Sequence, residues 1–162
     1  MNDLELLQLL AANAKYNTED LAVILQTDLQ DVEQRIAALE QKKIICGYHT
    51  IINWDKTSEE QVTSIIYCDA IPERDHGYDN IAKKIYNYPE VESMYLTSGK
   101  SDFIIMIHGQ TMKEVASFVA TKLACIEGIT STSTLFVLQT YKTSGVIMKD
   151  EETVSERLVV TP

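Results

Sequence analysis

Three polar side chains stand close together between Asp28 and Glu40: Gln30, Gln34 and Arg35. Their chemistry suits base edges, because a glutamine amide pairs bidentately with adenine and a guanidinium with guanine. The same stretch carries four carboxylates, Asp28, Asp31, Glu33 and Glu40, against the single cation Arg35. That balance opposes DNA phosphate, whose neutralisation by Lys and Arg supplies most non-specific affinity. Asp31 and Arg35 also have the i, i+4 spacing of a helical ion pair. Lys42 and Lys43 follow at once, placed either to touch phosphate or to complement the C-terminal end of a helix dipole.

A second polar cluster is Ser98-Gly99-Lys100-Ser101-Asp102. In such a run Gly supplies turn geometry and Asp accepts hydrogen bonds from loop backbone. Elsewhere the chemistry thins out. His49, His76 and His108 share no ligand spacing, so no metal centre is expected. Cys46, Cys68 and Cys125 are odd in number and form no CxxC motif, which argues against a disulfide framework. They read as inert packing thiols of a reducing compartment, the cytoplasm. No nucleophile–base pair, glycine-rich phosphate loop or paired acid motif stands out, so no catalytic residue is nominated and an enzyme is not expected.

The elements that must position these residues follow from periodicity. Leu4, Leu7, Leu10 and Ala14 suggest one helix face, and Leu21, Ile24 and Leu25 a second, begun at Asn17 or Thr18. Leu29, Val32, Ile36 and Leu39 mark a third helix, started by a Thr27–Gln30 capping box or by Asp28. Ile44 to Ile52 reads as extended. Leu21–Tyr48 thus has the layout of a helix-turn-helix. Residues 55–61 lack any apolar side chain and read as a linker. The period then changes. Strands are expected at Val62–Ile71, Val91–Thr97, Phe103–His108 and Ile129–Leu138. Helices fall between them around Tyr78–Tyr86 and Val115–Leu123.

The expected class is therefore α+β. A winged-helix-like helix-turn-helix domain over residues 1–54 precedes a β-α-β-β-α-β, ferredoxin-like domain over residues 62–148. Two helices leave one sheet face bare, and such a face calls for a second subunit. The net charge of -10 disfavours anionic membrane, and no apolar run is long enough to span one. The tail, residues 149–162, is acidic around one apolar cluster, Leu158-Val159-Val160.

Several local marks share an order and spacing with a known family. They are Leu39-Glu40 before Ile44-Ile45-Cys46-Gly47-Tyr48, then Tyr88-Pro89-Glu90-Val91, Ser98 to Asp102, and Gly128-Ile129 leading to Thr132 and Thr134. With the element order, residues 3 to 145 resemble the Lrp/AsnC family of transcriptional regulators. The resemblance implies an N-terminal domain that binds double-stranded promoter or operator DNA. It implies a C-terminal RAM domain that dimerises through sheets and can assemble into octamers. It also implies an amino-acid effector bound beside the loop of the Gly-x-x-Asp motif, here Gly99 and Asp102, with Thr132 and Thr134 on the fourth strand. No other cofactor is implied. One departure stands out. Exposed recognition-helix positions that are usually Arg or Lys in the family are Glu33, Gln34, Ala37 and Ala38 here. The rival reading is an amino-acid sensor or assembly protein whose acidic heads contact protein and bind DNA weakly or not at all.

Overall fold

The structure is a computed structural model, and it describes residues 2–59 and 61–149. The apolar cluster expected in the tail lies outside the described residues. The chain divides into two compact units, Met1–Ile51 and Ile52–Pro162, a boundary that falls ahead of the expected residue 54.

The first unit holds three helices, α1 (Asp3–Ala12), α2 (Thr18–Leu25) and α3 (Leu29–Gln41). Asn2 and Asn17 cap the first two, each side chain accepting from a backbone N–H of the opening turn. No capping box forms at α3. Asp28 occupies the cap position without a side-chain hydrogen bond, and the Thr27 hydroxyl donates to Asp31 instead (3.1 Å). The small core is Leu6, Leu21, Ala22, Val32 and Leu39. This corrects two expected faces. On α1 the buried stripe centres on Leu6, and Leu4 lies on the outside. On α2 the short helix turns Leu21, Ala22 and Leu25 inward, leaving Ile24 half exposed. After α3 the expected extended segment pairs with no strand among the described residues. It runs irregularly to a 3-10 turn at Trp54–Lys56.

The second unit has strands β1 (Val62–Ala70), β2 (Val91–Leu96), β3 (Phe103–Gly109) and β4 (Ile129–Phe136). They form one antiparallel sheet in the order β2-β3-β1-β4. Between them run α4 (Asp79–Tyr86) and α5 (Met112–Phe118), the latter continuing into a wider π-type turn over Val119–Leu123. The β-α-β-β-α-β order is as expected. Register sorts the faces, since opposite residues share a side and successive ones alternate. Ser64, Ile66, Cys68 and Ala70 of β1 point with Phe103, Ile105 and Ile107 of β3 into the core under the helices. Ile81, Ile85, Val115 and Phe118 close that core from the helix side. The other face presents Ile65, Tyr67 and Asp69, Ile104 and Met106, Tyr95, and Ser131, Ser133 and Leu135. No helix covers it.

Two local features complete the unit. Gly128 joins the π-type turn to β4 at φ +97, and a Cβ there would come within 2.7 Å of Ile81 Cδ1. The site therefore needs glycine on both conformational and steric grounds. A hairpin not anticipated from the sequence follows β4, with β5 (Lys142–Thr143) paired to β6 (Val146–Ile147). Its two-residue loop, Ser144 and Gly145, has φ of 45 and 85, the left-handed pair of a tight hairpin turn.

Candidate functional site

The outer face of the head is built on α3. Val32 and Leu39 turn inward, so Gln30, Glu33, Gln34, Ala37 and Glu40 are exposed. Gln30 and Gln34 thus stand one turn apart on the surface, and Lys42 and Lys43 are exposed just beyond the helix. Lys43 adopts φ 57, a left-handed turn that ends α3. Tyr48 reaches back to it, its hydroxyl donating to Glu40 (2.9 Å).

Arg35 is placed differently from the two glutamines. Its Nε donates to both oxygens of Asp31 at 3.1 Å each, and its Nη1 to Asp3 Oδ1 at 2.7 Å. The Arg35 guanidinium holds the Asp31 carboxyl below its ordinary range. The hydrogen bond to Asp3 leads in raising Arg35 itself. The one cation of α3 thereby ties it to the start of α1. On α2 two apolar side chains are also open to solvent: Val23 is 78% exposed and Ile24 48%.

In the sheet unit the hairpin between β2 and β3 carries Ser98, Gly99 and Lys100 outward, all exposed. Asp102 is half-buried with both oxygens engaged. Oδ2 accepts from the Ala70 backbone N–H and Oδ1 from the Tyr78 hydroxyl, each at 2.8 Å. The Asp102 bond leads in pushing the Tyr78 hydroxyl upward. Asp102 therefore anchors the loop to the end of β1 and the start of α4. A second carboxylate, missed from the sequence, ties the end of β1 to β4 on the bare face. Asp69 accepts from the Ser131 hydroxyl (2.5 Å). That bond leads in lowering its carboxyl below the usual range. No linear motif signals this group, because β1 and β4 meet only through the sheet.

Thr132 and Thr134 do share a strand face. They lie opposite Cys68 and Ile66 on β1, both fully buried, so the threonines point toward the helices. The register does not bring them onto the bare face with Asp69 and Ser131. The cysteines also divide. Cys68 is buried, with burial leading in pushing its thiol up to about 12, whereas Cys46 and Cys125 are exposed rather than packed. His108 is used within the sheet. Its Nδ1 lies 3.0 Å from Thr63 Oγ1 and its Nε2 2.5 Å from Glu92. No group of three potential metal ligands occurs among the described residues. No helix among them is long and apolar enough to cross a membrane.

A three-helix head followed by a ferredoxin-like antiparallel sheet with a braced hairpin loop defines a two-part helix-turn-helix regulator. The comparisons agree. The family described as the Lrp/AsnC ligand binding domain matches residues 69–147. The chain is 36% identical to the uncharacterized HTH-type transcriptional regulator YugG of Bacillus subtilis, across 98% of this chain and 95% of that one. It is 29% identical to the HTH-type transcriptional regulator LrpA of Pyrococcus abyssi, across 85% and 94% respectively. A transcriptional regulator from Neisseria meningitidis, solved as a complex with L-Met, shares the fold. It gives a TM-score of 0.69 at 20% identity over 87% of this chain and 90% of that one. This chain belongs to the Lrp/AsnC family of transcriptional regulators.

Proposed function

We propose that this regulator binds duplex DNA through the α3 face and adjusts that binding to an amino acid received at the β2–β3 loop. The observation that carries the reading is the loop itself. Both oxygens of the Asp102 carboxylate are spent on holding it, while Gly99 and Lys100 remain exposed at its tip. A braced loop with accessible backbone is a preorganised receptor for a small zwitterion. In this reading backbone around Gly99 receives the ligand and Asp102 positions the loop. Thr132 and Thr134 form the wall behind the adjacent sheet. The complex of the Neisseria meningitidis protein with L-Met supports the ligand class.

In the head, Gln30 and Gln34 are offered to base edges, and Lys42 and Lys43 to phosphate. Arg35 joins them when released by its carboxylates. The bare sheet face, with Tyr67, Tyr95 and Leu135 exposed, receives a second copy of the chain. Higher assembly would let heads that are weak singly engage DNA together. A ligand changes such an assembly only by binding its states unequally.

The test is fluorescence anisotropy with a promoter duplex at low salt, run beside a thermal-shift screen of the twenty amino acids. Binding that strengthens or weakens with the same amino acid that raises the melting temperature is expected. Full-length protein that binds neither DNA nor any amino acid would overturn the reading. A second reading has its own observation. An acidic α3 face with Arg35 engaged, together with Val23 largely exposed on α2, suits a protein partner, and this reading gains if DNA fails while an amino acid still binds.

A further inference from the structure

We infer that Asp3 is a built-in competitor for the DNA phosphate group: its carboxylate occupies the guanidinium edge of Arg35 that a phosphate would take. The inference rests on the DNA reading above and concerns regulation of that same face. Arg binds phosphate through a planar fork of N–H donors, and carboxylate fits the same fork. Here Nε is taken by Asp31 and Nη1 by Asp3.

The arrangement is positioned from both sides. On α3, the Thr27 hydroxyl fixes Asp31, which lies one turn before Arg35. On α1, the Asn2 side chain caps the first turn, so Asp3 is held at the N-terminal end of the helix dipole, where a carboxylate is favoured. Leu6 anchors α1 against Leu21, Val32 and Leu39, which sets Asp3 facing α3.

The two carboxylates differ in what they can do. Asp31 belongs to the same helix as Arg35 and follows it wherever α3 goes. Asp3 reaches it from another helix and is separable. Its pair with Arg35 is wet, with side-chain exposures of 34% for Arg35 and 53% for Asp3. A wet pair exchanges with a competing anion and is worth little on its own. It is therefore a mask that DNA can displace, at a modest loss of affinity.

The experiment measures binding of full-length protein to a short random-sequence duplex across a salt series. Asp3→Asn, Arg35→Gln and the double variant are compared with the parent, and Glu5→Gln serves as the charge control. Asp3→Asn is expected to tighten binding by roughly two- to fivefold per head, the scale of an exposed pair. The slope of log affinity against log salt should stay close to the parent's in Asp3→Asn and become shallower by about 0.9 in Arg35→Gln, which loses one neutralised phosphate. The gain in affinity should vanish in the Arg35→Gln background, and Glu5→Gln should not give it. Asp3→Ser repeats the test with a side chain that still suits a helix start. Equal gains from Asp3→Asn and Glu5→Gln, or gains that survive Arg35→Gln, would reduce the effect to net charge and overturn the inference. Parent binding with no response to either Asp3 variant also overturns it while leaving the DNA reading in place. Absence of DNA binding by every variant overturns both.

Discussion

The head and the sheet unit both spend carboxylates on internal contacts, but on different partners. In the head, Asp3 and Asp31 hold a charged guanidinium near the surface. In the sheet unit, Asp102 holds a backbone N–H and a tyrosine hydroxyl in a half-buried position. An exposed ion pair is screened by salt and worth little, whereas a buried donor that loses its acceptor carries the full desolvation cost. The cores differ as well. Among the described residues the head closes over a cluster of five buried apolar residues, and the sheet unit over twelve. One unit is thus built to yield at its surface and the other to hold a loop still.

The sharpest way to break this contrast is through the cores. Ile105 is fully buried in the middle of the sheet, so Ile105→Ala should cost about 2–5 kcal/mol. Leu6→Ala should cost a similar amount in the smaller core, and there it should leave the head unfolded. Hydrogen exchange separates the two. Ile105→Ala should raise exchange across β1 and β3, and Leu6→Ala only across α1 to α3. Next in size is Asp102→Ala, which strands the Ala70 N–H and the Tyr78 hydroxyl at about 1–3 kcal/mol. Exchange should then rise at Ala70 and through Ser98–Ser101. If the loop stays protected in that variant, Asp102 is not its anchor.

Thiol labelling extends the comparison without relying on stability. Cys46 lies in the head and Cys125 at the end of the π-type turn, and both are exposed; Cys68 is sealed in the sheet core. A thiol reagent at neutral pH should modify the first two rapidly. Cys68 should react only as the sheet unfolds, because burial keeps its thiol protonated, up to about 12. Raising pH from the unfolded thiol range toward that value should also cost stability, since the unfolded chain then releases a proton that the folded chain retains. Immediate labelling of all three thiols would mean that the sheet core opens as readily as the head.

The same contrast explains what could be read in the sequence. Helices and strands were legible because their apolar residues repeat at 3.6 or 2, and the β-α-β-β-α-β order followed from that change of period. Register was not legible. One step along β4 exchanges Thr132 and Thr134 for Ser131 and Ser133, and only pairing with β1 decides which pair faces the helices. Asp69 was invisible for the same reason, since its partner Ser131 comes from β4. In the head, the i, i+4 pair of Asp31 with Arg35 was legible, but the contact from Asp3 spans 32 residues and depends on helix packing. The β5–β6 hairpin left a usable trace in Ser144-Gly145, a dipeptide that favours tight turns.

The smallest expected effect tests the head alone. The folded Asp31 carboxyl lies below its ordinary value, chiefly because Arg35 donates to it. A carboxyl depressed by folding contributes stability above its unfolded pKa and loses that contribution as pH falls through the folded value. The window therefore lies at and below the ordinary aspartate range of about 4. The group is exposed, so the loss is too small to move a melting curve and must be read at the residue. A carbonyl-detected NMR titration should place the Asp31 midpoint lower in the parent than in Arg35→Gln. Asp3→Asn should leave most of that depression, because the Nε bonds to Asp31 do not need Asp3. Asp69 in the sheet unit should titrate alike in all three proteins, since Ser131 rather than an arginine lowers it. An Asp31 midpoint unchanged by Arg35→Gln would show that the pair does not persist in solution. Asp3 would then have no ordered guanidinium to mask.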